Sequence, residues 1–168
     1  MYMKTHQNAR VILSMSAQET LLHDIYQRRS IEACGVLLGT IDANGNWQVQ
    51  QIQPLQNTAN SSVYFEFAPE DLLEVELTRP GEIIGVYHSH PGGFASASTT
   101  DRENMQRVNL EQEIPWVWLI ICGPFNEAFL QRADGQIPLA SILAYHHYSQ
   151  EGLQQIAVQA EQNFRTEL

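Results

Sequence analysis

A nearly unbroken apolar segment at residues 116–122 restricts the fold of this chain more than any other feature. An apolar run of this kind, without alternation, is typical of a central strand that is covered on both faces. Residues 127–132 alternate between apolar and polar, so we expect them to pair with the central strand across Gly123 and Pro124. The chain is therefore expected to build a sheet with protein layers on both sides.

The remaining segments predict helices and strands that follow one another along the chain. A capping box at Ser16 and Glu19 opens the first helix, Pro69 opens the second, and Thr99 or Thr100 caps the third. The predicted order is an α+β fold in which helices cover a mixed, curved sheet. Strands are predicted at 34–41, 47–52, 63–67 and 83–88, and helices at 17–29, from 69 to about 79, 99–111 and about 151–164.

Length and composition limit the number of domains and the kinds of partner. A chain of 168 residues with 43% hydrophobic content predicts a single domain over residues 1–168. The net charge of −10, without a basic patch, argues against nucleic acid. No apolar run approaches the roughly 18 to 20 residues of a membrane span, so we expect a cytoplasmic protein with no membrane partner. The apolar stripe of the last helix packs either on the core or on a second copy in a homodimer.

Two histidines and one aspartate are predicted to meet at the end of a strand. Because successive strand side chains alternate between faces, His88 and His90 emerge on the same side and Ser89 points the other way. A proline and two glycines then break the strand, which lets Asp101 in the next helix return toward the same point. Two imidazoles and one carboxylate leave a fourth position for water, as in a catalytic zinc site.

Such a site also needs a proton carrier that does not bind the metal. We favour Glu32 because it lies where the first helix meets a buried strand, where apolar neighbours would raise the pKa of its carboxyl. Judged by position alone, a solvated acid at a helix end is the commoner explanation of this residue. The acids close enough in the chain to compete are Glu32, Glu66, Glu82 and Glu103.

Together these residues resemble the motif of the JAMM (MPN+) zinc metalloproteases. Glu32 precedes the segment Cys-Gly-Val-Leu-Leu-Gly, and a serine and an aspartate follow the His-x-His-Pro sequence at the family's spacing, so the motif core spans residues 32–101. The family's usual proline before the serine is replaced by Ala97. The resemblance implies an MPN fold, similar to that of cytidine deaminases, with zinc bound by His88, His90 and Asp101, Glu32 as general acid/base, and Ser98 donating a hydrogen bond to the oxyanion.

The resemblance also implies a class of substrate. Small prokaryotic members of the family cut after a Gly-Gly tail on ubiquitin-like or sulfur-carrier proteins. A tail of this kind can pass through a narrow groove that side chains would block, and an exposed strand edge could hold it by β-addition. The expected partner is therefore a ubiquitin-like or sulfur-carrier protein, and both tail processing and isopeptide cleavage fit the sequence.

Two other functions remain as alternatives. Two histidines and one carboxylate also suit a non-haem Fe(II) oxygenase, although such an enzyme does not need the pair of Glu32 and Ser98. A non-catalytic MPN scaffold is the other alternative. Scaffolds of this kind commonly lack metal ligands, whereas this chain keeps the full set.

Overall fold

The computed structural model of the protein describes residues 8–161. Within this range the chain forms four α-helices and seven strands, with a π-helical turn at Arg107–Glu111 and a 3-10 turn at Leu139–Ser141. The elements in chain order are β1 (Arg10–Leu13), α1 (Met15–Gln27), β2 (Cys34–Ile41), β3 (Trp47–Leu55), α2 (Pro69–Thr78), β4 (Ile83–His90), α3 (Thr99–Gln106), β5 (Val117–Cys122), α4 (Glu127–Ala133), β6 (Ile142–Tyr148) and β7 (Gly152–Ala160).

The strands form one mixed sheet that closes on itself in the order β1-β3-β2-β4-β5-β6-β7. β4 pairs antiparallel with β2, where Cys34 lies opposite His88, and parallel with β5, where Ile120 lies opposite His88. The short strand β1 closes the sheet because it pairs in parallel with both β3 and β7. The predicted α+β fold with a mixed sheet is confirmed. β4 lies between β2 and β5, and its last residue, His90, pairs with Cys122 of β5.

Apolar layers cover both faces of the sheet. From β5, Leu119 and Ile121 enter a core that includes residues of α1, whereas Trp118 and Ile120 enter a second core that includes residues of α2 and α3. The alternation of β5 side chains between two buried layers explains why its sequence lacks polar positions. The prediction of a central strand at residues 116–122 is confirmed.

The C-terminal part of the fold differs from the prediction. The predicted helix at about 151–164 is wrong where the structure describes it, because this part of the chain forms β7, and residues 162–164 lie outside the described range. β7 pairs antiparallel with β6, where Ile156 lies opposite Ala144, and parallel with β1. Hydrogen bonds on both sides of β7 fix an extended chain, although its apolar residues also fit a helical spacing.

Two predicted strands are also wrong. Residues 127–132 lie in α4, because the Asn126 side chain accepts the N–H of Phe129 at 3.0 Å and caps a helix that buries Phe129 and Ala133, four residues apart. Residues 63–67 belong to no strand. Their backbone bonds instead to the side chain of Asn57 and to Thr58.

Helix starts differ from the prediction by one or two residues. Ser14, and not Ser16, caps α1, because its hydroxyl accepts the N–H of Ala17 at 3.0 Å. Ser98, and not Thr99 or Thr100, caps α3. In both cases the serine directly before the first helical residue accepts a free N–H of the first turn.

Two further findings concern the cysteines and the helices. Cys34 and Cys122 are free thiols, and burial raises the pKa of the Cys34 thiol to about 12. Among residues 8–161, no helix combines the length and the apolar character that crossing a membrane requires.

Candidate metal centre

The end of β4 places two imidazoles side by side. His88 and His90 are buried, and their Nε2 atoms lie 3.2 Å apart. Ser89 points to the opposite face, where its hydroxyl accepts the N–H of Ala33 at 2.8 Å. The alternation predicted from the sequence is therefore present, and strand geometry alone aims both rings at one point.

The start of α3 brings the carboxylate of Asp101 to the same point. Its Oδ1 lies 3.2 Å from His88 Nε2, and its Oδ2 lies 3.3 Å from His90 Nε2. A reciprocal capping box holds this side chain: Ser98 N–H donates to Asp101 Oδ2 at 2.9 Å, and Asp101 N–H donates to Ser98 Oγ at 3.1 Å. The structure thus brings together the three residues predicted as metal ligands.

The arrangement fits a metal ion. The candidate ligand atoms of His88, His90 and Asp101 lie within 4.8 Å of one another, and all three side chains are buried. Ligands about 2.0 to 2.1 Å from a tetrahedrally coordinated ion are separated by roughly 3.3 Å. The two Nε2 atoms lie at about this separation, and each lies 3.2 to 3.3 Å from a different oxygen of Asp101, so the three side chains are close enough together to hold a metal ion.

Burial and hydrogen bonding shift the pKa values of all three side chains. Burial lowers the pKa of His88, which keeps this imidazole neutral. Burial opposes the charge of His90 too, but hydrogen bonds to Asp101 and to the Phe94 carbonyl outweigh it and raise the pKa. His90 Nδ1–H donates to the Phe94 carbonyl at 2.8 Å, so a neutral His90 directs its Nε2 lone pair at the centre, whereas a protonated His90 donates from Nε2 to Asp101. Although burial raises the pKa of the Asp101 carboxyl, hydrogen bonds from both histidines lower it well below the usual range.

Glu32 borders the centre from the segment that precedes β2. Its side chain is buried, and Oε1 lies 4.0 Å from His90 Nε2. Burial raises the pKa of Glu32 to about 7, an effect that nearby His90 reduces and Asp101 increases. Of the competing acids, Glu66 and Glu103 are exposed and Glu82 is paired with Arg79. Glu32 is thus the acid whose burial and position fit a proton carrier.

The raised pKa of Glu32 predicts a pH effect on the metal-free protein. The Glu32 carboxyl has a pKa of about 7 in the folded state and an ordinary value of 4.5. The stability that its protonation contributes is therefore fully present below pH 4.5 and is lost as the pH rises through 7. Glu32→Gln should therefore raise the free energy of unfolding of the metal-free protein at pH 8 by on the order of 1 to 3 kcal/mol. The melting temperature should rise accordingly. The gain should vanish near pH 4.5. Glu103→Gln controls for the lost charge, and equal melting shifts of both variants at pH 8 would contradict the prediction.

Two aromatic side chains that the sequence analysis missed flank the histidines. The Phe65 ring stacks on His88, with centroids 4.5 Å apart and an interplanar angle of 23°. The Phe94 ring lies 6.0 Å from His90 and is 61% exposed. Phe65 belongs to an aromatic segment interpreted as a strand, and Phe94 to a glycine-rich loop, so neither carried a signal for a site.

Comparison with known proteins assigns the family. The family of prokaryotic homologs of the JAB domain matches residues 14–133, which include the whole candidate metal centre. The chain belongs to this family. Because the JAB domain is the MPN domain under another name, the predicted JAMM/MPN membership is confirmed. The match ends before β6 and β7, the strands that complete the closed sheet.

Individual relatives of this JAB-domain protein differ in how much they share. A desampylase of Haloferax volcanii is 32% identical over 125 residues, which are 70% of this chain and 83% of that protein. A desampylase of Pyrococcus furiosus is 33% identical over 95 residues, 55% of this chain and 60% of that protein. Tail tip assembly protein K of Escherichia phage lambda is 38% identical over 60 residues, 36% of this chain and only 27% of that protein.

A solved structure supports the fold. The solution structure of protein DSY2949 from Desulfitobacterium hafniense has a TM-score of 0.63 to this chain and covers 94% of it and 97% of that protein. At 22% sequence identity, this likeness concerns the fold alone.

Proposed function

We propose that this chain is a zinc-dependent peptidase or isopeptidase that hydrolyses the bond after the C-terminal Gly-Gly of a ubiquitin-like or sulfur-carrier protein. The observation that carries the proposal is the buried Glu32 carboxyl, 4.0 Å from His90 at the edge of a group of three potential metal ligands. A scaffold protein would have no use for a buried acid in this position.

We also propose that residues 1–168 form one domain.

In this proposal His88, His90 and Asp101 bind zinc, and Glu32 is the general acid/base. Bound zinc would acidify a water molecule and polarise the scissile carbonyl. Glu32 takes the proton from the attacking water and delivers it to the leaving amine. A pKa of about 7 suits both steps, because the carboxyl can accept and release a proton near neutral pH.

Ser98 is proposed to stabilise the oxyanion. Its Oγ accepts the N–H of Asp101, so its hydroxyl hydrogen stays available for donation. Ala97, which stands in place of the family's usual proline, is buried, and its carbonyl accepts a hydrogen bond from Arg102 Nε at 3.3 Å. Packing and this bond support the position of Ser98 without a proline.

The segment at residues 63–67 is proposed to hold the substrate tail. Tyr64 C=O and both backbone groups of Glu66 bond toward Asn57 and Thr58. The backbone N–H and C=O of Phe65, which lies between them, have no hydrogen-bond partner among residues 8–161. An incoming tail could pair with them by β-addition.

Glycine at the end of the tail fits this arrangement. Phe65 and Phe94 flank the two histidines, so a substrate residue that reaches the centre would lie beside aromatic rings. A tail without side chains meets the least obstruction there. Two desampylases are among the relatives, and they support a ubiquitin-like partner.

Removal and return of metal test the proposal. Protein dialysed against a strong chelator should lose cleavage of a Gly-Gly-extended carrier protein and of a Gly-Gly isopeptide, and stoichiometric zinc should restore it. A tail ending in Val-Val is the matched control and should resist cleavage. Restoration by Fe(II) with oxygen uptake would favour the oxygenase. Zinc-loaded protein that cleaves neither substrate would favour the non-catalytic scaffold.

A further inference from the structure

Asn57 lies between β3 and α2 and is only 3% exposed. Its side-chain NH₂ donates to the carbonyls of Glu32 at 3.0 Å and Tyr64 at 2.9 Å. Its Oδ1 accepts the N–H of Ala59 and of Glu66, both at 3.1 Å. The amide nitrogen thus meets carbonyls and the amide oxygen meets N–H groups, which fixes its orientation.

These bonds connect the two sides of the candidate centre. Glu32 carries the carboxyl proposed as general acid/base, and its own N–H also donates to Ser61 C=O at 2.8 Å. Tyr64 and Glu66 flank Phe65, the residue that stacks on His88. The Asn57 side chain therefore bonds to the backbone of the acid and to both neighbours of the aromatic ring.

We propose that Asn57 is a positioning residue that fixes the Glu32 carboxyl relative to Phe65 and the bound substrate tail. The proposal rests on the proposed function. Residues 63–67 belong to no strand, so the ladder bonds that would hold an ordinary strand are absent there. Hydrogen bonds of the buried Asn57 amide replace these ladder bonds and link the segment to Glu32. Glu32 lies 25 residues before Asn57 in the chain. Asn57 itself touches no candidate ligand of the metal.

A second buried asparagine provides a matched control. Asn109 is 8% exposed, and its NH₂ donates to the carbonyls of Ile114 at 2.9 Å and Trp116 at 3.0 Å. Its Oδ1 accepts the Trp118 Nε1–H at 3.1 Å and the His147 N–H at 3.0 Å. The burial and hydrogen bonding of Asn109 are similar to those of Asn57. Every partner of Asn109, however, lies in or near β5 and β6, away from Glu32 and Phe65.

The first test compares Asn57→Ala with Asn109→Ala in zinc-loaded protein, well below the melting temperature of either. Both variants should melt at lower temperature than the wild type. Asn57→Ala should lower kcat/KM about 10- to 100-fold at unchanged zinc occupancy, because small displacements of reacting groups have effects of this size. Asn109→Ala should leave kcat/KM near the wild-type value. Asn57→Asp, which keeps the shape and the oxygen acceptor but loses the donors, should behave like Asn57→Ala and serves if the alanine variant does not fold.

The second test is a double-mutant cycle with Phe65→Ala. If Asn57 acts through the segment that carries this ring, Asn57→Ala should have a much smaller effect in the Phe65→Ala background. Hydrogen exchange adds a readout that does not depend on activity. The amides of Glu32, Ala59 and Glu66 should exchange faster in Asn57→Ala and at the wild-type rate in Asn109→Ala.

The outcomes separate the inference from the proposed function. Wild-type kcat/KM in Asn57→Ala, equal losses in both asparagine variants, or additive effects with Phe65→Ala would each overturn the positioning role. A wild-type protein that binds zinc but cleaves no Gly-Gly substrate would refute the proposed function instead. In that case faster exchange at Glu32 and Glu66 would still establish that Asn57 holds these segments together.

Discussion

Glu32→Gln should leave the metal bound and lower kcat by roughly two to four orders of magnitude, the range that general acid–base catalysis contributes. The amide has the same shape as the carboxyl but can neither accept a proton from water nor pass it to the leaving amine. Glu32 is not among the three potential ligands, so the metal site itself should persist. Elemental analysis of the purified variant and steady-state kinetics on a Gly-Gly-extended substrate measure the two effects.

Glu103→Gln is the matched control, because Glu103 lies in α3 close to Asp101 in the chain but is exposed. It should keep both the metal and the turnover of the wild type. The assignment of Glu32 would be rejected by turnover that survives in Glu32→Gln. A loss of metal from this variant would instead make Glu32 a ligand.

The metal centre could be predicted from sequence because its geometry is local. His88 and His90 are two residues apart on a strand, and a strand has a side-chain period of two. Asp101 returns because a proline and two glycines end the strand and Ser98 starts a helix. These interactions join residues close in the chain, so residue type and spacing carry the information.

Other parts of the fold depend on partners that are distant in the chain. β7 is a strand because β6 and β1 lie on either side of it, and β1 is nearly 150 residues away in the chain. The apolar residues of β7 fit both a helical and a strand spacing, so pairing with β1 and β6 determines that this segment is a strand. For α4 the deciding feature is local, since Asn126 is a good N-cap residue, although the alternation of residues 127–132 favours a strand.

The surroundings of the centre were also beyond sequence reasoning. Nothing in the chain indicates that the Phe65 ring stacks on His88, or that the side chain of Asn57 bonds to the backbone of Glu32. Glu32 itself was favoured for its apolar neighbours in sequence, and its burial depends on segments brought together by the fold. Side-chain contacts between loops leave no periodic pattern, so they appear only in the structure.

His88→Ala should abolish stoichiometric zinc binding, and with it turnover. Only two of the three ligands would remain, and His88 Nε2 is the nitrogen that lies close to both His90 Nε2 and Asp101 Oδ1. His23→Ala is the matched control, because His23 is exposed on α1. It should keep the zinc content of the wild type. Full zinc occupancy of His88→Ala by elemental analysis would remove His88 from the ligand set.

Asp101→Ala and Asp101→Asn separate the two roles of that carboxylate. Both variants should lose zinc, because an amide is a poor replacement for an anionic ligand. Only Asp101→Ala removes the acceptor for the Ser98 N–H, so it alone should also lose this half of the capping box, about 0.5 to 2 kcal/mol. Chemical denaturation of the metal-free variants measures this difference. Equal stability of the two would show that the hydrogen bond from the Ser98 N–H to the side chain at position 101 does not stabilise α3.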